Sequence, residues 1–429
     1  MADQSHLPSS ASDEAPPNPT EPYQPFLDMK PPVDAPISSA NGTLVSGSEK
    51  EKELESDSMR ADREATPEPD DFHIEFPAGL PTPPFVHVQG VPNFRDLGGY
   101  RCSPPSSASS SDEGKTIYTL RRGVLFRCAH PTHLTPKGLS TLTTTLGISK
   151  MYDLRSGPEI SRLAATVANS PADLYPLADP NTGTIESHGA PGLERVFVPV
   201  YQNEDYGPVA LARKLQWYTD THKHDEERGF EYSEGFVKAY RDIATHGAAA
   251  YTAIFRQLLA NAANEQKHGQ GLIFHCTAGK DRTGVLGALI HKLVGVDEDT
   301  ICWEYALTEP GLGKWRDQFM QRISASGLGG GGGKPASPEK IYTGDRQAVS
   351  REEAARICGS RAGNMRAWLD QVLQREFGGV ERYLTEKCGL TADEVVTLRD
   401  YLVVSVGADD DVVKVSSIEG WTPDGGVVD

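Results

Sequence analysis

Six cysteines in 429 residues, with no CxxC pair and no His/Cys spacing of the zinc type, exclude a disulfide framework and a structural metal site. Long apolar runs are missing as well. None approaches the ~20 residues that a membrane helix needs, so no integral membrane segment is expected. Met1–Ser10 has no basic stretch leading into an apolar one, so no secretory leader is expected there. There is no internal repeat. These absences point to a soluble protein of a reducing, intracellular compartment, read here as the cytoplasm, with neither nucleic acid nor a cofactor among its expected partners.

What is present begins with charge. The formal total of −18 is concentrated at the ends: residues 1–80 hold seventeen acidic against five basic side chains, and residues 405–429 hold six against one. The stretch between is nearly neutral and is able to carry a locally positive anion pocket without opposing its own field.

Residues 1 to about 75 are rich in Pro, Ser, Glu and Asp and poor in aromatics, a composition that predicts disorder. The reading is therefore a disordered acidic arm over 1–80, one folded domain over 81–405 and an acidic tail over 406–429. Phe85-Val86-His87-Val88 alternates like a strand before the turn-rich Asn93–Tyr100, and Ser103–Gly114 reads as a flexible loop. Thr135 as cap, Pro136 and Leu139, Leu142 and Leu146 predict a helix that Gly147 ends. A strand over Ile148–Leu154 and another over Val196–Val200 follow, with Tyr201–Glu227 left as a polar lid or excursion. Helix is expected over about 235–264, 285–294, 300–308, 351–377 and 392–404, with a packing-averse glycine run at Gly327–Gly333.

Between the second strand-to-helix pair lies the run His275-Cys276-Thr277-Ala278-Gly279-Lys280-Asp281-Arg282-Thr283-Gly284, preceded by the apolar Gly271–Phe274. Strand, loop and helix in that order place loop amides and a helix N-terminus at a sheet edge, where an anion binds. Cys276 there would have its pKa lowered from ~8.5 and act as a nucleophile. Arg282 would hold two phosphate oxygens in a bidentate fork. Thr277, Ala278, Gly279, Lys280 and Asp281 offer amides for an anion nest, bounded by His275 and Gly284. Thr283 would donate its hydroxyl to the sulfur, and His275 would orient the loop rather than act as a base. A nucleotide-binding Walker loop is excluded by Phe274 and Asp281 at positions that need Gly and Ser/Thr. The cysteines Cys102, Cys302, Cys358 and Cys388 read as buried inert side chains.

These residues resemble the Cys-x5-Arg loop of the protein tyrosine phosphatase superfamily. With Asn93-Phe-Arg-Asp-Leu-Gly-Gly-Tyr100, Asp153-Leu-Arg-Ser156 and the closing Phe377–Leu384, the chain is similar over about 85–405 to the tyrosine/lipid branch typified by mycobacterial phosphatase B. The resemblance implies an α/β fold, a central sheet flanked by helices, and a two-step reaction through a phosphocysteine. It implies that Asp281 is the general acid; otherwise Asp281 only holds the loop, and Asp205, Asp220, Asp225 and Asp153 are the other acid candidates. Lys280 is read as charge at the pocket floor, which keeps phosphoinositides open as a substrate class beside phosphotyrosine, phosphoserine and phosphothreonine proteins. Arg95 or Asp96 either borders the site or belongs to a structural set, and Asp153 with Arg155 suits a buried ion pair. The remaining alternative is an inactive phosphate-binding scaffold.

Overall fold

The computed structural model describes residues 76–108, 116–157, 159–160, 192–201, 222–326, 351–407 and 412–424, all within the larger of two units of the chain, Ala65–Asp429. The expected arm up to residue 75, the second half of the Ser-rich loop, the acid candidates Asp205 and Asp220 and the glycine run lie outside the described residues.

Elements follow as β1 (Arg95–Asp96), β2 (Ile117–Leu120), β3 (Leu125–Cys128), α1 (Pro136–Ser140), β4 (Ile148–Asp153), β5 (Glu194–Phe197), the hairpin β6 (His222–Asp225) and β7 (Phe230–Ser233), and α2 (Glu234–Ala262). Then come β8 (Gly271–His275), α3 (Asp281–Leu293), α4 (Glu298–Ala306), α5 (Thr308–Leu312), α6 (Lys314–Ser326), α7 (Arg351–Cys358), α8 (Ala362–Trp368), α9 (Val380–Glu386), α10 (Ala392–Leu402) and β9 (Val403–Val406). The main sheet has the order β1-β3-β8-β4-β5, with β1 antiparallel and the other neighbours parallel. This is the expected α/β architecture.

β8 is central and buried along its whole length, because Leu272 and Phe274 face the larger apolar core while Ile273 faces a smaller one on the other side. A strand covered on both faces reads as an unbroken apolar run rather than an alternation, as Gly271–Phe274 does. Its register places His275 between Cys128 of β3 and Asp153 of β4, so three strands end together where the loop begins. α2 packs against α3 and buries Tyr240, Tyr251, Ile254 and Phe255.

The local signals around residue 135 act as expected: Thr135 caps Gly138 N at 3.1 Å, and Gly147 sits at φ +63°. Four readings change. Phe85–Val88 forms no strand; Phe85 makes a single bridge to Arg95, and pairing stops after Val86 N donates to Phe94 O at 3.2 Å because Val88 O instead closes a turn by accepting from Val91 N at 3.0 Å. The helix after the loop starts at Asp281 instead of residue 285, because Gly284 N already bonds Lys280 O at 2.6 Å. The helical pattern over 351–377 divides at Gly359–Arg361 into α7 and α8, and the polar stretch before α2 contains the β6–β7 hairpin.

The segment 412–424, within the stretch read as an acidic tail, is fastened to the domain. Val413 N bonds Gly99 O at 2.8 Å, Ser416 O accepts from Trp303 Nε1 at 3.3 Å, and Pro423 O and Asp424 Oδ1 accept from the first amides of α8, Ala362 and Gly363, at 2.9 and 3.0 Å. Arg361 offers that helix no side-chain cap of its own, so Asp424 supplies it across the chain. Val413→Ala should therefore cost about 1–2 kcal/mol in a urea titration, whereas Val415→Ala, at a position 54% exposed, should stay within about 0.5 kcal/mol. Equal costs would show that the segment does not dock.

Candidate active site

A peptide plane carries its C=O and the next N–H on opposite sides, so fixing the carbonyls of a loop fixes where its amides point. Four successive carbonyls of the loop are held from outside. His275 Nδ1 lies 3.1 Å from Cys276 O, His130 N donates to Thr277 O at 3.0 Å, Asn93 Nδ2 to Ala278 O at 3.1 Å and Arg127 Nη2 to Gly279 O at 2.7 Å. The amides of Thr277, Ala278, Gly279 and Lys280 consequently point the other way, into a concavity that begins at Cys276. Gly279 is at φ +65°, and a Cβ there would strike the backbone of Cys128. Only glycine allows the loop to lie this close to β3.

Arg282 is held at both ends. Tyr251 on α2 donates to its backbone carbonyl at 2.8 Å, and its guanidinium forks onto Glu159, Nη1 to Oε2 at 2.6 Å and Nη2 to Oε1 at 2.8 Å. Glu159 also accepts from Thr277 Oγ1 at 3.0 Å and from Ser156 N at 2.9 Å. Burial raises its carboxyl pKa, but Arg282, joined by the Ser156 amide and Arg155, brings it down to about 2. An end-on pair of this kind orients the guanidinium so that its Nε/Nη2 edge is the one a phosphate would meet.

The other expected site residues divide. Cys276 is buried at the floor of the loop. Thr283 is buried too, but its hydroxyl makes no hydrogen bond, so the expected bond to the sulfur is not formed. Lys280 does not add its charge to the pocket floor: Nζ bonds the carbonyls of Ile357 and Gly359 at 2.5 and 3.1 Å and stands 4.9 Å from the centroid of the Phe236 ring. Both carbonyls stand at the C-terminal end of α7, where the helix dipole favours a cation. Asp281 opens α3 with Oδ1 3.4 Å from that ammonium. Asp153 is committed to Arg155 and Arg195 at 2.7 and 2.5 Å, and Asp225 to the β6–β7 turn through Arg228 N, so neither is placed to protonate a leaving group. Arg95 lies behind the loop and Asp96 bonds the amides of Gly98 and Gly123; neither borders the pocket. All six cysteines are free thiols, and burial pushes Cys102 up to about 12 and Cys388 to about 11.

A family model described as the tyrosine phosphatase family matches residues 86–404. The chain belongs to that family. It is 26% identical over 221 residues to the triple specificity protein phosphatase PtpB of Mycobacterium tuberculosis, covering 51% of this chain and 73% of that protein. It is also 28% identical over 169 residues to a tyrosine-protein phosphatase of Nostoc commune, covering 39% of this chain and 49% of that protein. As a tyrosine phosphatase family member the chain is a hydrolase of phosphate monoesters. Sequence reading did not find Glu159 for this phosphatase, although Ser156-x-x-Glu159 has the spacing of a capping box, and that reciprocal pairing is what places it.

Under this phosphatase loop, burial lowers the pKa of His275 to about 4 although Asp153 opposes the shift. Its folded pKa lies below the ordinary 6.5, so its contribution is present above 6.5 and lost as pH falls toward 4. Burial raises Asp96 to about 6, which has the opposite sign: its contribution is present below 3.8 and lost as pH rises through 6. The two offset between pH 4.5 and 6.5. Urea titrations at those two pH values should show that His275→Gln gains about 2–3 kcal/mol on acidification relative to the wild type. Parallel behaviour of the two proteins would exclude a neutral buried His275.

Proposed function

We propose that this phosphatase removes phosphate from phosphotyrosine, and also from phosphoserine and phosphothreonine, in proteins, through a phosphocysteine on Cys276. The reading rests on one observation above the rest: four peptide carbonyls pinned outward around a cysteine whose loop ends on a clamped arginine. In the first step Cys276 Sγ bonds phosphorus as the bond to the ester oxygen breaks, and that oxygen takes a proton from Asp281. In the second, water gives a proton back to Asp281 and attacks phosphorus, the S–P bond breaks, and inorganic phosphate leaves. Loop amides and Arg282 bind the charge that gathers on the equatorial oxygens. Thr283, with its hydroxyl uncommitted in the resting protein, donates to the departing thiolate.

Protein substrates are favoured over phosphoinositides because the ammonium of Lys280 is engaged by Ile357 O and Gly359 O rather than by the pocket. The name of the mycobacterial relative supports a specificity broader than one phosphate ester. Phosphate release from phosphotyrosine peptides should exceed that from phosphoinositide vesicles, with vanadate inhibiting and Cys276→Ser inert. Faster turnover of the lipid would replace the protein-phosphatase reading, and a wild type as inert as Cys276→Ser that still binds phosphopeptide would leave only a scaffold.

A holding role for Asp281 has its own support in the 3.4 Å approach to Lys280. The pH profile of Asp281→Asn separates the two. Loss of the limb on which rate falls as an acid deprotonates, with kcat down about 10²–10⁴-fold, assigns the proton to Asp281. An unchanged profile shape with a modest loss assigns it to the loop.

A further inference from the structure

Behind the loop, two of the four pinned carbonyls depend on a single buried carboxylate. Glu304 of α4 is 1% exposed and gives one oxygen to each of two guanidiniums, Oε1 to Arg95 Nε and Oε2 to Arg127 Nη1, both at 2.7 Å. Arg127 then uses Nη2 to hold Gly279 O at 2.7 Å and lies 3.5 Å from Lys280 O. Arg95 uses Nη1 to bond the carbonyl and side-chain oxygens of Asn93, whose Nδ2 holds Ala278 O. Two chains of contact thus leave one carboxylate and arrive at consecutive peptide planes of the phosphate loop.

We propose that Glu304 is a positioning residue for phosphoryl transfer, acting through Arg127 on the carbonyl of Gly279 and through Arg95 and Asn93 on that of Ala278, and so aiming the amides of Gly279 and Lys280 at the phosphate. This rests on the phosphatase reading of the Cys276 loop. The chemistry suits the role. Arg95 and Arg127 are both fully buried, which sets two like charges side by side; burial and then Arg127 bring Arg95 down to about 10. A carboxylate between them removes that conflict and fixes both planar forks in one orientation. Burial raises the pKa of Glu304, but Arg127 and Arg95 together hold it at about 2, so it is ionised wherever the enzyme works. Space around the network is closed: a Cβ at Gly284 would meet the Tyr305 ring at 2.8 Å, and one at Gly311 would meet Asn93 Oδ1 at 2.5 Å. A Cβ at Gly287 would likewise lie 3.3 Å from Arg127 Nη1.

The test compares the full-length wild type with Glu304→Gln and with Arg127→Lys, which keeps a cation facing Glu304 but cannot hold two acceptors with a rigid fork. Four quantities are read: kcat/KM on an aryl phosphate, inhibition by vanadate, the pH midpoint for alkylation of Cys276 by iodoacetamide, and the thermal midpoint. Both variants should lose about 100-fold in kcat/KM, bind vanadate about 10-fold or more weakly and shift the alkylation midpoint up by about one pH unit. A folded variant that keeps the wild-type vanadate affinity and alkylation midpoint overturns the proposal, whatever its thermal midpoint. Should Glu304→Gln not fold, Arg127→Lys decides alone. A wild type that neither turns over the ester nor binds vanadate instead overturns the phosphatase reading of the loop, and this proposal with it.

Discussion

An anion nest holds its shape only while the carbonyls of its own peptide planes are kept outside it. Unrestrained, those dipoles would turn toward solvent or toward the nearest donor and take the amides with them. Here the constraint is met by groups from four separate places: the ring of His275, the backbone of His130 after β3, the side chain of Asn93 before β1, and Arg127 on β3. The parallel register of β3, β8 and β4 is what brings them together, since it ends the strands at a common level and lets the loop curl over their tips.

Charge is handled by the same logic. The nest has to attract an anion, yet the buried Asp153 and Glu304 and the partly buried Glu159 lie close to it. Each is paired with guanidinium: Asp153 with Arg155 and Arg195, Glu159 with Arg282, Glu304 with Arg95 and Arg127. Arginines equal or outnumber carboxylates in every group, so the buried acids orient cations without making the region negative. That local balance is why a chain of formal charge −18 can still present a pocket suited to phosphate.

The loop proposed as catalytic was legible in the sequence because its residues lie within ten consecutive positions. A cysteine, glycine, arginine and threonine at fixed spacing after an apolar run describe their own geometry, and β8 and α3 lie on either side of them. The helix at Thr135–Gly147 was legible for a similar reason, as its cap and its stop are local. Lys280 was misplaced because its partners, Ile357 O and Gly359 O, are backbone atoms some eighty residues away that no side-chain pattern advertises. Glu159 and Glu304 were visible as residues but not as parts of the site, since a carboxylate's role depends on which arginine the fold delivers to it. Phe85–Val88 misled in the opposite way: alternation is a local sign of a strand, but a strand also needs a partner along its length, and here the chain turns back at Val88–Val91 after one bridge.

Lys280 shows how far the loop's support extends. Its ammonium rests on the turn that joins α7 to α8, Ser360 in that turn bonds Ala306 O at the end of α4, and the first amides of α8 are capped by Pro423 and Asp424. α4 is also the helix that carries Glu304 and, through Trp303, holds Ser416. The loop is thus braced on one side by Glu304 and its arginines and on the other by a lysine seated on a helix end, and both braces reach the 412–424 segment. The geometry of the loop is therefore held from both ends of the domain, from Asn93 near its start to Asp424 near its end. A ten-residue motif with the same sequence would carry the cysteine and the arginine without the geometry that surrounds them here.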